Sequence, residues 1–276
     1  RDELVKHGED PTDPGGYFVI NGTEKVLVNI EDLAANNLII EQDNTGKYVG
    51  RVFSSAGSYK IPHSFELKNG FFYMSFTRIK TAPIVVVLKA LGVLKDEEIM
   101  KLISPDKMYD EVLLNLLEFS DIKSSEDAID YIARKSGFTQ TKEIRVERTQ
   151  ETLDKFLFPH IGIDKSSRMD KARNLCKMLK KFIQISKGER AKDDKDHYMN
   201  KRLRMSGDLL LDLFRVNFKV LVGDILYNFQ RIIKRGKLPS IRVIIREKLL
   251  TSRIYSSMAT GEWVGGRQGV SQRIDR

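Results

Sequence analysis

The sequence predicts an α+β chain, with antiparallel hairpins first and helices after them. Three observations predict it. Turn signals stand at Asn21-Gly22, Asn44-Thr-Gly46 and Asn69-Gly70, each between short runs rich in β-branched and aromatic residues. Phe72, Met74 and Phe76 alternate with Tyr73, Ser75 and Thr77, as a strand with one buried face requires. From Pro83 onward the apolar residues recur at helical spacing, with no internal repeat and no low-complexity tract.

Taken in order, residues 17–20 and 25–28 form a first hairpin, because Asn-Gly suits the two positive φ angles of a type I′ turn. Residues 37–40 pair with 47–53, and 58–67 pair with one strand over 71–79, making a small sheet that packs one face against helices. Helices follow at 83–91, 96–103, 106–119, 125–136 and 142–158; Ser124 or Ser125 caps the fourth and Gly137 ends it. A basic helix over 167–187 carries the stripe Met169, Ala172, Leu175, Leu179, Phe182 and Ile183 and stops at Gly188. A polar loop, 188–196, leads to helices over 198–235 and 237–250, the first relaxed at Gly207, which costs about 1 kcal/mol relative to alanine.

Composition narrows the function classes. With 276 residues, 41% apolar and 31% charged, the chain is long enough for real cores and holds no apolar run near the eighteen residues of a membrane span. The polar, acidic start is unlike a signal peptide. The sole cysteine, Cys176, allows no internal disulfide and no multi-thiolate metal site, which suits a cytoplasmic setting. Residues 1–164 hold 20 Lys/Arg against 27 Asp/Glu, whereas 165–276 hold 27 against 11. That split assigns a polyanionic partner to the C-terminal part, where phosphate counterions would be released; the plainer reading is a solvated basic surface.

Several motifs invite chemistry. Gly261-Glu-Trp-Val-Gly-Gly266-Arg267-Gln268 misses the phosphate-binding P-loop, because lysine and a hydroxyl residue are required where Arg267 and Gln268 stand, and a helix precedes it instead of a strand. Asp193, Asp194, Asp196 and His197 are metal-ligand types, yet adjacent residues rarely converge on one ion, so an acidic loop capping the next helix is the preferred reading. His7, His63 and His160 stand alone without a triad pattern. Asn21-Gly-Thr23 fits a glycosylation sequon that a cytoplasmic chain would not use. Lys171, Arg173, Lys177, Lys180 and Lys181 give the basic helix a face for DNA or for water, and the lack of insertion aromatics argues against a membrane.

Four stretches in order, Asp13-Pro-Gly-Gly-Tyr-Phe-Val-Ile-Asn-Gly-Thr-Glu-Lys-Val-Leu-Val28, Pro83-Ile-Val-Val-Val-Leu-Lys-Ala-Leu-Gly92, Asp193-Asp-Lys-Asp-His-Tyr-Met-Asn-Lys-Arg-Leu203 and Thr260-Gly-Glu-Trp-Val-Gly-Gly-Arg-Gln-Gly-Val-Ser-Gln-Arg-Ile-Asp-Arg276, carry a resemblance. The chain resembles the second-largest subunit of multisubunit DNA-directed RNA polymerase, and the short loop between Trp263 and Gly269 looks archaeal in type. The resemblance implies a lobe inserted into a discontinuous protrusion: 1–38 as the first part of the protrusion, 39–204 as the lobe, 205–258 as the rest of the protrusion and 259–276 as the start of the fork. The first hairpin would then pack beside the helices after about 205.

By the same resemblance the fork lies near the RNA–DNA hybrid. Gly265, Gly266 and Gly269 allow close backbone approach, and Arg267, Gln272 and Arg276 are candidate nucleic-acid contacts. Trp263 is read as a core anchor in preference to a stacking platform. Lys201, Arg202 and Arg204, placed on a helix with 201 and 204 on one face, are the second set of candidates. No catalytic residue, metal ligand or bound cofactor is expected. Mg²⁺ in the parent enzyme would be held principally by the largest subunit, leaving this piece inactive alone. Partners implied are the other polymerase subunits, the largest above all, duplex DNA, the RNA–DNA hybrid, and general transcription factors at the lobe. The reading from a different class is an independent basic module that binds nucleic acid or assembles a complex.

Overall fold

A computed structural model describes residues 2–57, 59–105, 107–236 and 240–274. The chain divides into two compact units, residues 33–201 and residues 1–32 together with 202–276. The chain crosses between them at 32/33 and 201/202, a few residues before the expected boundaries at 38/39 and 204/205.

The 1–32/202–276 unit contains α1 (Asp2–Lys6), β1 (Phe18–Ile20), β2 (Thr23–Leu27) and most of β3 (Ile30–Leu33). The first hairpin forms as the sequence dictates: Ile20 pairs with Thr23, and Asn21 and Gly22 take φ of 51° and 73°.

The 33–201 unit opens with a five-stranded antiparallel meander, β4 (Leu38–Gln42), β5 (Tyr48–Ala56), β6 (Tyr59–Lys68), β7 (Phe71–Phe76) and β8 (Ile79–Pro83). The single strand expected over 71–79 is two strands. Phe76 pairs with Ile79 across Thr77-Arg78, and Thr77 adopts φ 47°, a conformation a β-branched residue rarely takes. No glycine or asparagine marks that turn, so the sequence concealed it.

The helices are α2 (Ile84–Ala90), α3 (Asp96–Ile103), α4 (Asp110–Glu118), α5 (Ser125–Lys135), α6 (Lys142–Phe156) and α7 (Arg168–Ser186). The helix expected from 106 starts only at Asp110, because Tyr109 is still extended and buried. Ser124 caps α5 by accepting the Asp127 N–H at 3.1 Å, and Gly137 follows it at φ 82°. Inward residues of the sheet, Val52, Phe65, Phe72, Met74 and Phe76, meet the α7 stripe and a wholly buried α2 in one core. Gly50 permits that contact: a Cβ there would lie 3.2 Å from Phe182 Cδ2 and 3.1 Å from Leu38 Cδ1.

The expected helix over 198–235 is corrected. A 3₁₀ turn (Tyr198–Asn200) leads to β9 (Lys201–Arg204), and α8 (Ser206–Ile233) begins only afterwards, where the Met205 N–H donates to Asp208. Gly207 therefore lies in the first turn of a helix and interrupts nothing. Instead of one helix over 237–250 there are α9 (Ile241–Ile244) and α10 (Lys248–Thr260), with 237–239 outside the described residues. β3 and β9 pair as a two-stranded sheet, and β10 (Ser271–Arg273) joins the first hairpin in the order β1-β2-β10. The hairpin does pack beside the late helices: Tyr255 donates to Asn21 Oδ1 and Lys25 to the Ala259 carbonyl, both at 2.5 Å.

Candidate nucleic-acid interface

The glycine-rich loop is built on the end of α10. Gly261 caps that helix at φ 79°, and a Cβ there would sit 2.8 Å from the Ser271 carbonyl, so only glycine lets the returning strand pass this close. Trp263 N–H donates to Arg267 O at 2.7 Å, closing a tight loop in which Gly265 and Gly266 both have positive φ. The Trp263 indole is buried and donates to the Leu209 carbonyl at 2.8 Å, so its role is the anchor and not an exposed stacking surface. β10 then runs antiparallel to β2, with Gln272 opposite Val26.

The candidate residues do not converge on one surface point. Arg267 pairs with Asp32, and Arg204 reaches both Asp212 and, at 4.0 Å, the same Asp32. Arg267 Nη1 is buried without a hydrogen-bond partner. Lys201 lies 3.7 Å from Asp196, and Arg202 is exposed. Because Lys201, Arg202 and Arg204 stand on a strand, 202 and 204 share a side and 201 faces the other, which reverses the helical grouping of 201 with 204. Gln272 is exposed, and its amide donates to the Gly269 carbonyl at 3.1 Å. Arg276 lies outside the described residues. Asp32, the carboxylate that organises two of the candidate arginines, escaped sequence reasoning: it stands 235 residues before Arg267 in the chain.

The basic helix is less basic at its surface than its sequence. Lys171 is fully buried, donates to the Leu153 and Asp154 carbonyls, and burial pushes its amine down to about 8. Lys181 pairs with Asp193 at 2.7 Å and donates to the Leu38 carbonyl at 2.6 Å. Nor does the charge split in the sequence map onto the two units. Residues 1–32 and 202–276 carry 18 Lys/Arg against 14 Asp/Glu, and 33–201 carry 29 against 24.

The other candidate chemistry resolves into structure. Asp193 accepts the Ile40 N–H at 3.1 Å, Asp194 accepts the Asp196 N–H at 2.8 Å, and His197 Nδ1 accepts the Met199 N–H at 3.2 Å, so the acidic loop caps itself and a neighbouring strand. Among the described residues no group of three or more His, Cys, Asp or Glu is placed to hold a metal. His63 and His160, isolated in sequence, meet around Phe158. The Phe158 N–H donates to His63 Nε2, so Nδ1 carries the proton and donates to the Ile61 carbonyl at 3.1 Å; burial lowers this imidazole to about 4. His160 Nδ1 lies 2.7 Å from Ser54 Oγ, but Ser54 is completely buried and reaches no substrate. Burial pushes the Cys176 thiol up to about 12, which removes it as a nucleophile. No helix among the described residues is long and apolar enough to cross a membrane.

The fold is thus α+β, and its candidate loop is glycine-rich, bears Arg267 and is anchored by Trp263. The family model for RNA polymerase Rpb2, domain 2, matches residues 34–204, and the chain belongs to that family. Its full length is 41% identical to DNA-directed RNA polymerase subunit Rpo2 of Saccharolobus solfataricus, covering 25% of that protein. It is also 41% identical to subunit Rpo2N of Methanocaldococcus jannaschii and 38% identical to that of Halobacterium salinarum, covering 57% and 54% of them. The chain thus spans about a quarter of its Rpo2 relatives and little more than half of its Rpo2N relatives.

Proposed function

We propose that this chain works as part of an archaeal-type DNA-directed RNA polymerase and forms one wall of its DNA cleft. In this reading 39–204 are the lobe over downstream DNA, 1–38 and 205–258 the protrusion, and 259–276 the start of the fork beside the RNA–DNA hybrid. The observation that carries the reading is the 38–41% identity over the whole chain to Rpo2 and Rpo2N subunits.

Templated nucleotidyl transfer uses two Mg²⁺ ions that stabilise the attacking and leaving oxygens. The residues described here offer no carboxylate cluster for them, and the reading leaves the ions to the largest subunit. This chain's contribution is to position nucleic acid. Arg202 on one side of β9, Lys201 on the other and Gln272 on β10 make separate contacts to phosphate or ribose, and Arg276 is proposed as a further contact. Arg267 joins them by exchanging the carboxylate of Asp32 for a phosphate oxygen, and Arg204 by giving up Asp212, its hydrogen-bond partner, along with the more distant Asp32. One further feature supports a place in an assembly: α8 exposes a long apolar stripe, which suits contact with other polymerase subunits. In this reading the 33–201 unit also receives transcription factors.

The test is binding of a duplex and an RNA–DNA hybrid across a salt series, with Lys201→Ala, Arg202→Ala and Asp32→Asn beside the parent. Salt-sensitive binding, weakened by the first two changes and strengthened by the third as Arg267 is released, is the expected result; the log–log slope reports the phosphates neutralised. Absence of binding at low salt overturns the nucleic-acid-facing assignment. Template-dependent RNA synthesis by the purified chain would overturn the assignment of catalysis to another subunit.

A further inference from the structure

The outward face of the five-stranded sheet carries an ordered row that the acidic balance of residues 1–164 hid. Arg51 on β5 is paired in register with Ser64 on β6, and Ser64 with Ser75 on β7. The two hydroxyl oxygens are 2.5 Å apart. Lys80 on β8 lines the same cleft, of about 520 Å³, so that cation, hydroxyl, hydroxyl and cation follow one another across four strands. Arg51 and Lys80 are exposed, and neither has an ion-pair or hydrogen-bond partner among the described residues. Phe53 and Pro62, themselves paired across the strands, line the cleft beside this row.

A second cleft of about 370 Å³ lies on the same sheet, lined by Lys68, Phe71, Tyr73, Thr81 and Lys135. Tyr73 precedes Ser75 by two residues and shares its face, about 7 Å along the strand. Among the described residues on the outward rows of β5, β6 and β7, Glu66 is the one carboxylate, and Lys68 neutralises it at 2.5 Å. A solvated sheet face is ordinarily polar and needs no ligand; two unpaired cations bracketing a hydroxyl pair beside aromatic side chains ask for an anion attached to something flat.

We infer that this face binds single-stranded nucleic acid, with a phosphate held between Arg51 and Lys80 by the Ser64 and Ser75 hydroxyls, and bases against Phe53–Pro62 and Tyr73. The inference rests on the nucleic-acid-facing reading above and adds a surface which that reading does not include. The two non-bridging oxygens of a phosphodiester have lone pairs for all four donors, as a carboxylate also has, so it is the rings beside the row that favour a nucleotide. The neighbouring rings match base faces, which only a strand free of its complement presents. Lys60 and Lys135 now lie over the Phe53 and Tyr73 rings, at 5.0 and 4.9 Å; their flexible stems let them yield the ring to a base and follow the phosphate.

The experiment is fluorescence anisotropy of a labelled fifteen-residue oligothymidylate with the chain, over a salt series. Arg51→Ala with Lys80→Ala is expected to weaken binding by about tenfold or more and to lower the log–log slope by about 0.7, the contribution of one neutralised phosphate on a single strand. Ser64→Ala with Ser75→Ala should weaken binding with the slope unchanged, and Lys177→Ala with Lys180→Ala should leave it as in the parent. Far-UV melting of each variant keeps loss of fold apart from loss of contact. Parent-like binding by the Arg51/Lys80 variant, no binding of the parent at low salt, or displacement of the oligonucleotide by oligoglutamate at equal concentration overturns the inference. Loss of duplex and hybrid binding with the oligothymidylate still localised to Arg51 and Lys80 would instead overturn only the cleft-wall reading.

Discussion

Residues 33–201 and the unit made of 1–32 and 202–276 use their apolar side chains in opposite ways. In the first, both the sheet's inward row and the stripe of α7 vanish into one cluster that includes Phe65, Leu88, Ile132, Phe158, Leu175 and Phe182. In the second, the buried cluster is small, with Leu209, Leu213, Trp263 and Val270 at its centre. Its longest helix instead shows Leu211, Phe214, Phe218, Val222, Phe229 and Ile233 to solvent, each 42–48% exposed and recurring at helical spacing. Burial of apolar surface drives folding at about 25 cal/mol per Å². The 33–201 unit therefore holds its own driving force, and the other unit leaves much of its apolar surface in water.

The contrast can be broken experimentally, and the largest effect belongs to the core. Phe182→Ala should destabilise the protein by about 3–5 kcal/mol in urea followed by far-UV circular dichroism. Trp263, the one tryptophan of the sequence, lies in the other unit and reports it by emission; a common shift of both signals would break the contrast. Next in size is pH. His63 has an ordinary value of 6.5 and about 4 when folded. As pH falls from 6.5 to 4 the unfolded chain takes up a proton that the folded one refuses, so stability should drop by about 3 kcal/mol. Lys171, lowered from 10.5 to about 8, has the same sign: stability should rise from pH 8 to 10.5, and Lys171→Met should flatten that limb.

Smaller effects sharpen the same comparison. Ser124→Ala removes the α5 cap and should cost about 1 kcal/mol by urea titration. At the bottom of the scale, Phe218→Ala should change the stability measured by urea titration by less than about 0.5 kcal/mol, because its ring is about half exposed already. It should also lower the binding of a hydrophobic dye. A large loss of stability from Phe218→Ala would show that the stripe serves the isolated fold after all.

Legibility followed the range of the interaction. The hairpins at Asn21-Gly22 and Asn69-Gly70, the cap at Ser124 and the stripe of α7 were readable because each is decided within a few residues. The β7–β8 turn was not, since Thr77 is held at φ 47° by the strands it joins and not by its own preference. Lys201–Arg204 read as helix and formed a strand because β3, far away in sequence, supplies the partner. In the candidate interface the glycines and the Trp263 anchor were legible, while the sharing of Asp32 by Arg204 and Arg267 was not.

The sequence by itself determined the α+β class, the hairpins at Asn21-Gly22 and Asn69-Gly70, most helices between 83 and 187 and, through four ordered motifs, the polymerase family, since all of these follow from local pattern. Only the tertiary structure decided which cations stay available to a ligand. Lys171 and Lys181 were drawn inward to carbonyls, Arg204 tied to Asp212 and Arg267 to Asp32, while Arg51 and Lys80 were left without such partners among the described residues, at the two ends of one row on the sheet's outward face. Charge is counted along the chain, but its pairing depends on which strands and helices meet.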